Sequence, residues 1–87
     1  MSWLVNPDVV SRRLGDTIVL VNLADNAIYE LNRTGARAME LITTGAAIEQ
    51  IVAQLSSEFA ADRETIAGEI GRLVADLEAA GLIRRTP

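Results

Sequence analysis

Twelve carboxylates and eight arginines are the only strongly charged side chains in this 87-residue sequence, which has no histidine, cysteine or lysine and a net charge of -4. Such a set offers ion pairing and, in principle, carboxylate acid–base chemistry. It lacks an imidazole base, a thiol nucleophile, thiolate or imidazole ligands for zinc, and a disulfide framework. No acid pair stands at a spacing that separates it from ordinary helix surface, so catalysis is not expected and no cofactor is implied. The arginines are scattered singly or in pairs (Arg12-Arg13, Arg33, Arg37, Arg63, Arg72, Arg84-Arg85) among the acids. A nucleic-acid partner is therefore disfavoured, because such partners select a continuous basic face. No apolar run is long enough to span a bilayer. The opening Met1–Asp8 shows neither a cationic region nor a small-residue cleavage pattern, so the cytosol is the expected address.

Three strands and three helices must position whatever the surface does. Val9–Leu14 and Thr17–Val21 are rich in β-branched residues and are separated by Gly15-Asp16, a two-residue hairpin connection. A second turn at Asp25-Asn26 leads into Ala27–Leu31, completing an antiparallel meander of three strands. The rest carries helical period: Ile48, Ile51, Val52, Leu55 and Phe59 form one stripe, and Ile66, Ile70, Leu73, Leu77 and Ala80 another. Asn32 and Asp62 are suited to cap helix N-termini, and Gly45 and Gly81 to end helices in the left-handed conformation. Leu82 is placed to fold back on Leu77. The expectation is one α+β domain over residues 1–87, with its core at about 7–85 and a three-stranded antiparallel sheet followed by three helices.

That arrangement leaves apolar surface over. In the second strand Ile18 and Leu20 point one way and Val19 and Val21 the other, while Ile28 opposes Tyr29 and Leu31 in the third. Either the segment with Trp3, Leu4 and Val5 covers the second face, or the sheet and its open edge receive another chain. In the third helix Gly68 and Gly71 each cost about 1 kcal/mol against alanine. They admit close approach of a ligand strand or of a neighbouring helix. Arg72 and Asp76 are spaced to pair at i, i+4 near Glu69.

The landmarks Tyr29-Glu30-Leu31-Asn32, Thr34-Gly35, Glu40–Gly45, Ile48-Glu49-Gln50-Ile51-Val52, Leu55 and Leu77–Ile83 occur in order, and together they resemble the PqqD-like family. The family's usual Ser or Thr cap on the second helix is replaced by Ala46-Ala47, so Thr44 is a candidate substitute cap. The resemblance implies a winged helix–turn–helix-like domain that recognises the leader segment of a ribosomally made precursor peptide. It implies a non-catalytic adaptor, most like the stand-alone proteins of lasso-peptide pathways that work beside a separate leader peptidase and cyclase. Homologues in pyrroloquinoline quinone and radical-SAM peptide pathways, a winged-helix DNA binder and a dimerisation module stay open as alternatives, as does a monomer or a weak dimer.

On this resemblance the leader adds a strand along Ala27, Ile28, Tyr29, Glu30 and Leu31. It sends side chains against the third helix, where Ala67, Glu69, Ile70, Arg72, Leu73, Val74, Asp76 and Leu77 are the candidate wall. The flank of the helix, with Ala67, Glu69 and Val74, is expected to face the peptide, and the stripe Ile66, Ile70, Leu73 and Leu77 the core.

Overall fold

The protein is described by a computed structural model covering residues 2–86; Met1 and Pro87, the ends of the expected domain, lie outside the described residues. Five strands and three helices follow in the order β1 (Trp3–Val5), β2 (Val9–Leu14), β3 (Thr17–Asn22), β4 (Ala27–Leu31), α1 (Arg33–Thr43), α2 (Ile48–Glu58), α3 (Arg63–Ala79) and β5 (Ile83–Arg85). The expected meander is β2-β3-β4, fully antiparallel. Gly15, at φ 62°, makes the first turn, and Asn26, at φ 59°, makes the second, where the Asp25 carboxylate accepts the Ala27 N–H at 2.9 Å. The α+β architecture with three helices after the meander is therefore as expected.

A second sheet was not expected. β1 pairs antiparallel with β5, Trp3 opposite Arg85 and Val5 opposite Ile83, so the segment after α3 is a strand that ties the two ends of the chain together. β1 also packs on α1. Trp3, Leu4 and Val5 therefore do not cover the outer face of the meander: Trp3 is buried in the core, where its Nε1–H has no hydrogen-bond partner among the described residues.

The helix ends follow from local chemistry. The Asn32 side chain accepts the Gly35 N–H at 2.9 Å and the Asp62 side chain accepts the Thr65 N–H at 3.1 Å. Ala47 caps α2 without a side-chain acceptor; the Gln50 side chain instead accepts the Ala47 N–H at 2.9 Å. Thr44 does not serve as a substitute cap, because its hydroxyl donates to the Leu41 carbonyl. All three helices close in paired reverse bonds, as in Leu82 N–H to Leu77 C=O and Gly81 N–H to Glu78 C=O. The residue at the left-handed position is Gly45 in α1, Gly81 in α3 and, against steric preference, Ala60 in α2, at φ 49°.

The inner face of the meander presents Ile18, Leu20 and Leu31 to the helices, and the core continues through Ile42, Ile51, Leu55, Ile70 and Leu82. Arg13 on β2 pairs with Glu40 on α1. Arg37 bridges Glu40 at 3.1 Å and Glu58 on α2 at 2.9 Å, and Gln54 donates to Glu58 as well. The Arg37 guanidinium, through its hydrogen bonds, holds the Glu58 carboxyl down at about 2, with Gln54 assisting.

Candidate peptide-binding edge and cleft

β4 is an edge strand, hydrogen-bonded among the described residues to β3 alone. The register shows which of its backbone groups are free. The Leu23 N–H donates to the Asp8 carbonyl at 2.9 Å, which continues the β2–β3 ladder and makes Val10–Val21, Arg12–Val19 and Leu14–Thr17 its hydrogen-bonded pairs. Hydrogen-bonded pairs alternate in an antiparallel sheet, so Ile18, Leu20 and Asn22 turn their backbone groups to β4 and meet Leu31, Tyr29 and Ala27. The N–H and C=O groups of Ile28 and Glu30 then point away from the sheet. They form a row that an added strand would complete.

Beside this edge a cleft of about 430 Å³ opens between the β4–α1 junction and α3. Glu30, Leu31, Asn32, Thr34 and Gly35 form one wall, and Glu69, Ile70, Arg72, Leu73 and Asp76 the other. Three carboxylates and one guanidinium ring an apolar floor of Leu31, Ile70 and Leu73. None of the four is in an ion pair among the described residues, so the expected Arg72–Asp76 pair is not formed.

Of the residues singled out from sequence, the fold brings Glu30, Leu31, Glu69, Ile70, Arg72, Leu73 and Asp76 together at this cleft, with Ala27, Ile28 and Tyr29 further along the same strand. Tyr29 is half-buried against the core. The placements on α3 need correction. Val74, expected to face the peptide, is only 4% exposed and belongs to the core; Leu73 and Leu77 stand in both the candidate wall and the expected core stripe, and Leu77, 2% exposed, keeps to the core whereas Leu73 stands partly exposed at the rim. Ala67 is exposed but lines no part of the cleft. At 3.6 residues per turn, Ala67 and Val74 lie on one side of the expected stripe of Ile66, Ile70, Leu73 and Leu77, and Glu69, Arg72 and Asp76 on the other, so the expected flank mixes two sides; the buried stripe is turned toward Val74. Gly68 and Gly71 do not serve tight helix packing, since a Cβ at either would meet nothing within 4 Å.

Asn32, Thr34 and Gly35 were not singled out as part of the wall. The signal was present in the cap: an N-cap directly after an edge strand sets the first turn of the following helix beside that edge. Gly35 is closely framed there, with its missing Cβ 3.3 Å from Asn32 Oδ1 and 3.4 Å from Leu31 Cβ.

An open strand edge beside a partly apolar cleft is the main surface feature of this small α+β domain. The chain belongs to the PqqD family: the model described as Coenzyme PQQ synthesis protein D (PqqD) matches residues 17–83. Among solved structures the chain is similar to TbiB1 in complex with the TbiA(beta) leader peptide, at 25% identity and TM-score 0.87, covering 100% of this chain and 99% of that one. It is also similar in fold to a lasso peptide synthetase B1 complexed with the leader peptide, at 20% identity and TM-score 0.88, covering 98% of this chain and 100% of that one. No curated protein matches.

Proposed function

We propose that this protein is a non-catalytic adaptor of lasso-peptide biosynthesis. It binds the leader segment of a ribosomally made precursor as an extra strand on β4 and delivers it to a leader peptidase or another modifying enzyme. The observation that carries this reading is the outward-facing backbone of Ile28 and Glu30 beside the cleft on α3, in a chain whose fold matches two leader-bound proteins. Backbone bonds to Ile28 and Glu30 supply affinity that is indifferent to leader sequence. Selectivity comes from alternate leader side chains entering the cleft against Leu31, Ile70 and Leu73. Arg72, in no ion pair among the described residues, supplies a cation for an acidic leader residue, while Glu69 and Asp76 disfavour acids in shifted registers.

Ordering a flexible leader offsets part of the interaction, so a strand with two or three buried anchors binds at roughly micromolar to tens of nanomolar dissociation constant. That strength allows release after processing. The test is the fluorescence anisotropy of a labelled leader peptide from a precursor encoded beside this protein, titrated with wild type and with Leu73→Glu. Saturable binding is expected, weakened about tenfold or more by the substitution, which corresponds to about 1.4 kcal/mol. A folded wild-type domain that binds no such leader overturns the reading.

A further inference from the structure

The outer face of the meander carries a second surface, which meets the cleft only at Glu30. Directly opposed residues of an antiparallel sheet share a face, so the register sets Val10, Val21 and Ile28 in one row and Arg12, Val19 and Glu30 in the next. Val10 is 50% and Ile28 69% exposed, and the N-terminal segment that could have covered them is engaged with β5 and α1 instead. Neither Arg12 nor Glu30 has an ion-pair partner among the described residues.

We infer that this face is the contact between two copies of the chain. The pattern is self-complementary about a two-fold axis lying in the interface along β3. That operation sets β2 of one copy over β4 of the other, so Val10 meets Ile28, Val19 and Val21 meet their own counterparts, and Arg12 meets Glu30 twice. Opposite charges at the two rims of an apolar stripe match only in this orientation, and packing two twisted sheets nearly aligned is an ordinary sandwich geometry. Three strands of five or six residues present about 300 Å² of sheet per copy. This falls well below the roughly 800 Å² per partner of a stable complex, so the dimer is weak, with a dissociation constant of about 100 μM. The free backbone edge of β4 stays open in this arrangement.

Sedimentation equilibrium from about 10 μM to 1 mM tests it. Wild type is expected to shift from monomer to dimer across this range. Val10→Lys should raise the dissociation constant at least tenfold, and Arg12→Glu should do likewise by setting carboxylates face to face. The double variant Arg12→Glu/Glu30→Arg should restore association to near the wild-type value, with circular dichroism confirming that each variant is folded. A constant monomer mass throughout overturns the inference, as does a dimer indifferent to Val10→Lys and to the charge exchange. Because Val10 lies away from the cleft, leader binding by Val10→Lys reports on the adaptor reading separately.

Discussion

Leu73 and Val74 are neighbours in sequence with nearly the same hydrophobicity, yet they do different work. Leu73 stands at the rim of the cleft, so Leu73→Glu should leave the domain folded and weaken the leader. Val74 is 4% exposed, and an unpartnered carboxylate there costs several kcal/mol out of the ~5–15 available to a small domain. Val74→Glu should therefore lose its helical circular dichroism at 25 °C; a well-folded Val74→Glu would show that α3 is rotated differently from the arrangement described. Glu58 makes a prediction in pH. Its carboxyl is held at about 2 against an ordinary 4.5, first by hydrogen bonds from Arg37 and then from Gln54. The bridge therefore contributes fully above pH 4.5, and its contribution is lost as pH falls through about 2. Urea unfolding of wild type and Glu58→Gln should differ at pH 6 and converge near pH 2, and a gap independent of pH would assign the effect to something other than the Arg37 bridge.

At the scale of elements, the alternation along β4 makes neighbouring positions respond oppositely to proline. The Ile28 N–H points outward and bonds nothing among the described residues, so Ile28→Pro should keep the fold, as proline is tolerated on the solvent side of an edge strand. It removes one donor from the leader ladder, and binding should weaken several-fold. The Tyr29 N–H belongs to the β3–β4 ladder, and Tyr29→Pro breaks that bond. Its melting temperature should fall by ten degrees or more, measured by circular dichroism, while Ile28→Pro stays within a few degrees; the reverse order would reject the register. The helices show how far local chemistry reaches. Asn32 and Asp62 cap as their types suggest, and Gly45 and Gly81 end helices as glycine does. α2, with alanines at both ends, is delimited by Gln50 reaching back and by Ala60 accepting a left-handed backbone.

For the molecule as a whole, the pairing of β1 with β5 joins residues at opposite ends of the chain and drives the only tryptophan into the core. Trp3→Ala should cost about 3–5 kcal/mol in urea denaturation, because it opens a cavity beside α1 and β5. Trp3→Phe should cost less, since the indole N–H has no partner to lose. If both variants are as stable as wild type, the ribbon is not part of the folding unit.

The meander, the three helices, the caps of α1 and α3 and the edge strand were legible from the sequence because each rests on contacts within a few residues: alternation of period two, stripes of period 3.6, a glycine or asparagine where a turn needs it. The candidate cleft was legible in part for the same reason, as Leu31, Glu69, Ile70, Arg72 and Leu73 lie on elements whose existence local pattern establishes. Three outcomes depended on the tertiary structure: the β1–β5 ribbon, the rotation of α3 that sends Val74 inward and Leu73 to the rim, and the exposure of the outer sheet face. Three-residue strands carry too little pattern to announce their pairing across nearly the whole chain. Two adjacent apolar residues leave a helix's phase undetermined until β5 and α2 pack against it, and whether a two-faced sheet is covered depends on where the N-terminal segment finds its partner.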